Sequence, residues 1–443
     1  MKHFKTFSFL AISCLLASGV ESKADTVEKN PPSPMGKFIV QQGIDKNTRP
    51  VIDMSPSRPF IPGQTGSAPT YENSFDPTDT VSPNKNVVID SQLKRMAGQM
   101  VMVGFRGTAP EHAGVKAVIS EISQGSIGGV MLMKHNIVSI AQVKRLTNAL
   151  YKAAKAGNQP TPFISVDQEG GLVQRLRFTQ YPSAAKIAKL SEHNAAVTYG
   201  KMACEIQSAG INVNFGPVVD LDINGRNNPV IGRLNRSYGR SPSAVIKYAS
   251  QFVSAHKYYG IMTAAKHFPG HGSSLKDSHK GFTAIPQWSE KELEPYRALA
   301  KGGPGRAVDL VMVGHLYNQK WKSPASLSNT AITRILREKV HFRGLAITDD
   351  MEMGAIRHNY KWSEAIIKAV NAGNDILLYS NTAKTQSYLG KKIRDTITNA
   401  ICPQGRDSLP NCVPVSVIVA SYDRIRTTKG RLKSHKKSGS CAK

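Results

Sequence analysis

The chain has 443 residues, 40% hydrophobic and 7% aromatic, a composition ordinary for a globular protein with a large core and one that excludes a mainly disordered polymer. It carries 58 Lys and Arg against 31 Asp and Glu, a formal charge of +27, which favours anionic surroundings such as nucleic acid, lipid headgroups or acidic cell-wall polymer. The length exceeds one ordinary domain but fits a single barrel of about 250 to 350 residues with flanking tails.

At the N-terminus, Lys2, His3 and Lys5 precede an apolar run over 7–20, and Ser22, Lys23 and Ala24 offer small residues at a cleavage spacing. This pattern predicts an export signal over 1–24 and sets nucleic acid aside as the partner of the positive charge. Cys14 lies inside the run behind Ala11, Ile12 and Ser13, a poor lipoprotein box, so anchoring through lipid is the lesser expectation. Residues 25–86 are rich in Pro, Ser, Thr and Asn and predict a linker or surface arm. The domain follows over 87–428, and 429–443 reads as a basic, solvated tail.

Within 87–428, short apolar runs alternate with longer helix-like stretches. The runs cover 100–105, 129–133, 162–166, 211–221, 260–267, 309–315, 344–348 and 375–379. Several are continuous in Val, Ile, Met and Ala, as strands buried on both faces of a parallel sheet must be. Between them Val143, Leu146 and Leu150 recur at helical spacing, and Ser289 followed by Glu292 has the pattern of a capping box. Eight strand-then-helix units predict an α/β fold with one closed TIM-type (β/α)8 barrel. Cys402 and Cys412 stand close enough, in a stretch with Pro and Gly, for a disulfide in an oxidising compartment.

Charged residues close many of these runs: Asp167, Asp220 with Asp222, Lys266 with His267, His315, and Asp349 with Asp350. In a barrel the carboxyl ends of the strands converge on one face, so these groups predict a polar pocket there. After Lys266 the chain turns at Pro269 and Gly270 into a Gly- and Ser-rich loop that carries Asp277 two residues before His279. A carboxylate that near an imidazole can orient it for proton transfer, although both can equally be exposed loop residues. Asp349 and Asp350 sit side by side at a strand end, where adjacent side chains point opposite ways. A carboxylate at that place can be a glycosyl nucleophile, a metal ligand or a hydrogen-bond anchor.

The segments Val166 to Gly171 with Val173 to Leu176, Arg236 to Gly239, Lys266 to Gly272, Asp277 to His279, and Thr348 to Met351 with Met353 to Ile356 stand in order along the chain. On these the sequence resembles glycoside hydrolase family 3, in its bacterial β-N-acetylglucosaminidase branch, over residues 90 to 425. The resemblance implies a retaining exo-β-N-acetylglucosaminidase acting on peptidoglycan fragments or chitooligosaccharides. Asp349 is then the nucleophile, and His279 paired with Asp277 the acid and base. Asp167, Arg175, Arg236, Lys266 and His267 form the sugar subsite, and neither metal nor cofactor is needed.

The partner expected from the resemblance is an N-acetylglucosamine-containing glycan; the positive charge predicts electrostatic contact with an anionic envelope, the export signal sets nucleic acid aside, and a monomer is expected. The loop with Asp277 and His279 is absent from β-glucosidases of the same family, which favours N-acetylglucosamine over glucose. A neutral imidazole does not repel an anionic acceptor, so phosphorolysis stays open beside hydrolysis. Two rivals remain. A metal-dependent hydrolase could use His267, His271 and His279 with Asp277 and Asp349, but His267 and His271 flank a Pro-Gly turn rather than facing each other across one helical turn. A non-catalytic cell-wall-binding protein suits the charge, yet has no use for Asp277, His279 and Asp349 together.

Overall fold

The computed structural model describes residues 91–434, apart from 303–306, 404–405, 408 and 410. The expected export signal over 1–24, the arm over 25–86 and the end of the tail lie outside the described residues.

The eight apolar runs each form a strand: β1 Val101–Gly104, β2 Gly129–Leu132, β3 Phe163–Val166, β4 Val213–Asn214, β5 Met262–Phe268, β6 Leu310–Val313, β7 Leu345–Thr348 and β8 Leu377–Tyr379. All neighbours pair in parallel in the order of the chain, and β1 returns to β8 with Val101 opposite Leu377. Between β7 and β8 the ring is completed by the parallel bridge of Ile347 with Ile376 and by bonds from Asp375 N and Ile376 N to Ala346 O. This is the predicted (β/α)8 barrel. Its strands are apolar on both faces because one face fills the barrel and the other meets the helices.

Helices α1 Ser91–Gln99, α2 Ala113–Ser123, α3 Ile140–Ala156, α4 Glu192–Ser208, α5 Pro242–Tyr258, α6 Glu294–Lys301, α7 Thr330–Lys339, α8 Trp362–Ala372, α9 Leu389–Asn399 and α10 Val415–Ser434 alternate with these strands or flank them. In α3 the predicted stripe of Val143, Leu146 and Leu150 is fully buried, and Ser139 Oγ caps the helix by accepting from Gln142 N.

Three local expectations need restating. The run over 211–221 forms a continuous strand only at Val213–Asn214, because Pro217 has no amide to continue the ladder, and pairing resumes as a single bridge of Val218 with Lys266. The chain nevertheless follows β5, with Gly216 O accepting from Ala264 N and Pro217 O from Lys266 N. The capping box at Ser289 does not form. The Ser289 hydroxyl makes no cap bond, and the Glu292 carboxyl turns into the interior instead. The boundary placed after residue 428 falls inside α10, because one face of that helix docks on the barrel.

Lys429, counted among the solvated basic residues, is buried on that docked face. Its Nζ donates to Gln99 Oε1 and to Gly128 O, each at 2.7 Å, and lies 4.8 Å from the centre of the Phe163 ring. Burial pushes the amine down to about 7. Replacing Lys429 with alanine strands two buried acceptors, and denaturant unfolding should show a loss of about 1–3 kcal/mol. Unchanged stability would mean that the end of α10 contributes nothing to the barrel. Further along the same side, Cys402 and Cys412 are bonded as a disulfide.

Candidate active site

The chain leaves β3 into a tight hairpin in which Gln168–Gly170 pairs with Val173–Gln174. Gly170 and Gly171 have φ of +96° and +63°, conformations that only glycine adopts without strain. Gln168 locks the hairpin: its Oε1 accepts from Arg175 N and Leu176 N, and its Nε2 donates to Leu176 O. This folds Arg175 back over the strand exit, with Nη2 3.2 Å from Asp167 Oδ2.

Lys266, near the end of β5, reaches across to the same place. Its Nζ lies 2.8 Å from Asp167 Oδ1 and 2.7 Å from Glu169 Oε1. Arg236 grips Glu169 with two parallel bonds of 2.9 and 2.8 Å. For both carboxyls burial raises the pKa, but the cations outweigh it. Lys266 and Arg175 hold Asp167 below the usual carboxylate range, and Arg236 and Lys266 hold Glu169 far below it. For Lys266, burial lowers the value and the two carboxylates more than restore it. The result is a buried array of three cations and two anions, with one positive charge in excess.

Asp220, at the exit of β4, organises the next element. Its Oδ2 accepts from His267 Nδ1 at 2.7 Å, and its Oδ1 accepts from the backbone amides of His267 and His271. His267 Nε2 then stands 3.4 Å from Arg236 Nη2. Past the turn, His271 sits between Ser274 Oγ at 2.9 Å and Ser278 Oγ at 3.1 Å. Burial pushes its imidazole down to about 4, so it is a neutral strut. Asn228 adds a brace by donating to His271 O and Gly272 O.

Ser278 is thus buried, while its two neighbours face outward. His279 Nδ1 lies 2.8 Å from Asp277 Oδ1, and because a carboxylate only accepts, that nitrogen carries a proton. His279 Nε2 is left to exchange a proton with whatever enters, and the side chain is 60% exposed. Burial raises the Asp277 pKa, but bonds from the His279 amide and ring bring it below the usual value.

The loop is also docked on the segment that follows β7. Gly354 N donates to His279 O, and Ala355 N to Ser278 O. A Cβ on Gly354 would stand 2.7 Å from the Lys280 carbonyl, so only glycine lets the loop come this close. A loop from the fifth strand is thereby held beside the exit of the seventh.

Asp349 is at that exit. Its Oδ1 accepts from Asp350 N at 2.8 Å. Burial alone would raise its pKa, but the imidazoles of His267, His315 and His279 pull it down to about 2. It is a half-buried, ionised carboxylate facing three histidines. Asp350 points the other way, as the strand geometry requires, and accepts from Ser380 N and Glu352 N. His315 donates from Nε2 to Asp350 O and accepts at Nδ1 from Ser326 Oγ, which fixes its ring beside Asp349.

The structure thus brings Asp167, Arg175, Lys266, His267, Arg236, Asp277, His279 and Asp349 to one end of the barrel. It assigns them unequal freedom. Arg236 is committed to Glu169 and Arg175 to Asp167, whereas Asp349 and His279 keep unoccupied faces. Asp220, one of the charges expected at a strand exit, and Glu169, two residues past Asp167, are the hubs of the network. Their position at strand exits was visible, but their partners come from distant loops. Among the described residues no group of three or more His, Cys, Asp and Glu is placed to hold a metal ion.

With this geometry in hand, comparisons with known proteins add a family context. Residues 92–406 match the model of the glycosyl hydrolase family 3 N terminal domain. The chain is 33% identical to beta-hexosaminidase A of Pseudoalteromonas piscicida over 64% of its own length and 53% of that relative, so it spans about half of that protein. It is 34% identical to a beta-hexosaminidase of Stenotrophomonas maltophilia (strain R551-3), covering 63% of the chain and 82% of the relative. Among solved structures it is similar to a glycoside hydrolase family 3 beta-N-acetylglucosaminidase from Paenibacillus sp. str. FPU-7, with a TM-score of 0.68 and 31% identity over 80% of this chain and 65% of that one.

Proposed function

The chain belongs to glycosyl hydrolase family 3, and from that premise we propose that it is a retaining exo-β-N-acetylglucosaminidase. Asp349 attacks the anomeric carbon as the bond to the leaving oxygen breaks, and His279 Nε2 delivers a proton to that oxygen. In the second step water attacks the same carbon, His279 takes the proton back, and the Asp349 carboxylate departs. Asp277 keeps the imidazole in the tautomer this needs and stabilises its charged form.

Asp167, Lys266, Arg175 and His267 line the place where sugar hydroxyls and the N-acetyl oxygen would sit, and they would meet the sugar with the valences their mutual ion pairs leave over. Arg236 acts mainly by holding Glu169 against Lys266. One observation carries this reading: a loop-borne imidazole with its Nε2 free is tied, through Gly354, to the segment that follows an ionised carboxylate. A binding protein has no need of that arrangement. The named relatives, two beta-hexosaminidases and a beta-N-acetylglucosaminidase, support the choice of sugar.

For the physiological setting, the N-terminal segment and the charge support a reading in which the enzyme is exported. The apolar run over 7–20 supports export, and +27 supports residence against an anionic envelope, with muropeptides or chitooligosaccharides as the glycan. Turnover of a chromogenic β-N-acetylglucosaminide should exceed that of the matching β-glucoside by at least about tenfold in kcat/KM. A preference for the glucoside, or an inert protein that still sediments with peptidoglycan, would overturn the assignment.

A further inference from the structure

Glu292 has no part in the chemistry above, yet it lies directly beneath the loop that carries it. The side chain is 1% exposed, and both carboxyl oxygens are buried facing Ser273 and the Ser289 backbone, with no hydrogen bond of full geometry to either oxygen. Ser273 Oγ, which leans on the carboxyl, and the Tyr296 hydroxyl beside it are likewise buried without a hydrogen bond of full geometry. Four such atoms in one spot are unusual, since buried polar groups are nearly always bonded.

The carboxyl presses on the turn where β5 becomes the loop. Gly270 has a φ of +134°, and a Cβ there would stand 2.6 Å from Glu292 Oε2. The titratable groups facing Glu292 are Asp220, from the exit of β4, and Tyr296, from α6. His267 and His271 are engaged by Asp220, and no Lys, Arg or His forms an ion pair with Glu292 among the described residues.

We propose that Glu292 is a positioning residue: as a neutral carboxylic acid it lets residues 270–279 sit closed over the barrel, and its ionisation lifts that loop and carries His279 away from Asp349. The proposal rests on the reading of His279 as the proton carrier. The physical reason is space and charge. A neutral carboxyl can be packed against Gly270 and a carboxylate neighbour, but an anion there has no cation beside it among the described residues. Burial, with repulsion from Asp220 and only partly offset by contacts from Ser273 and the Ser289 backbone, pushes the group up to about 8. The folded value lies above the unfolded one, so stability of the closed loop is complete at low pH and is lost as pH rises through that value.

Trp288 offers a readout that does not depend on turnover. Its Nε1 donates to Pro269 O at 3.0 Å, the carbonyl next to Gly270, so loop movement changes its surroundings. In the full-length wild-type protein, tryptophan emission and its quenching by acrylamide should shift with a midpoint near pH 8, and in Glu292→Gln this transition should vanish. With a substrate whose leaving group is poor, the alkaline limb of kcat/KM should move up by at least about one pH unit in Glu292→Gln, while the value near pH 6 stays within about threefold.

Superimposable emission titrations of the two proteins would overturn the proposal, as would a folded Glu292→Gln that is more than about tenfold slower near pH 6. Should Glu292→Gln not fold, the wild-type protein alone decides, because emission and quenching that stay flat between about pH 6 and 10 exclude the movement. A protein that shows the emission transition but turns over no N-acetylglucosaminide refutes the proposed function and leaves the loop movement standing.

Discussion

Replacing Asp349 with alanine should lower kcat on N-acetylglucosaminides by on the order of 10^4-fold, with the fold and its unfolding midpoint intact. Burial raises the pKa of this carboxylate but the imidazoles of His267, His315 and His279 bring it down to about 2, so near neutral pH it is an anion, with one oxygen bound to Asp350 N. On the proposed mechanism, removing it takes away the atom that bonds to the anomeric carbon, and no other carboxylate among the described residues of the pocket is placed to substitute. Asp350 faces Ser380 and Glu352, and Asp167 is paired with Lys266 and Arg175. Stability should survive, because the side chain makes no ion pair among the described residues and stands at a half-open strand end. Azide, small enough to occupy the space left by the side chain, should restore part of the turnover and yield a glycosyl azide of inverted configuration. Residual activity within about tenfold of wild type would remove Asp349 from the role of nucleophile.

Replacing His279 with alanine should divide substrates by their leaving groups. For a disaccharide, whose departing alkoxide needs a proton, kcat/KM should fall by about 10^2 to 10^4-fold. For an activated aryl glycoside, whose phenolate leaves unaided, kcat/KM should change by less than about tenfold. In that case the covalent intermediate should accumulate, because the same imidazole activates the water, and a burst of phenol should precede a slow steady state. The side chain is exposed and hydrogen-bonds only Asp277 among the described residues, so folding should be unaffected. Equal losses on both substrates would argue for a structural role in the loop instead of proton transfer.

Much of the architecture was legible before any coordinates. Strands in a closed parallel barrel are buried on both faces, and that demand writes itself into the sequence as the eight apolar runs, from Met100 to Tyr379. The alternation with helical stretches such as Val143, Leu146 and Leu150 follows from the same packing. Asp167, Lys266, His267 and Asp349 were recognisable because a charge that ends such a run lies at the open face of the barrel. The expectations that failed were local ones. The Ser289 and Glu292 spacing suits a cap, yet burying Glu292 against Gly270 won. Lys429 belongs to a basic run, yet one turn of α10 faces the barrel and takes the lysine with it.

What the sequence determined by itself was the kind of fold, the face that carries the chemistry, and the acid, base and nucleophile candidates, because each depends on periodicity or on residues adjacent in the chain. Only the tertiary structure decided which groups are free to act. Glu169 neutralises Arg236 across 67 positions, Lys266 meets Asp167 across 99, and Gly354 admits the His279 loop at a backbone contact that no pattern announces. Such pairings depend on the directions in which separate loops leave the barrel, and the energy that selects them is the cost of leaving a buried charge without its partner.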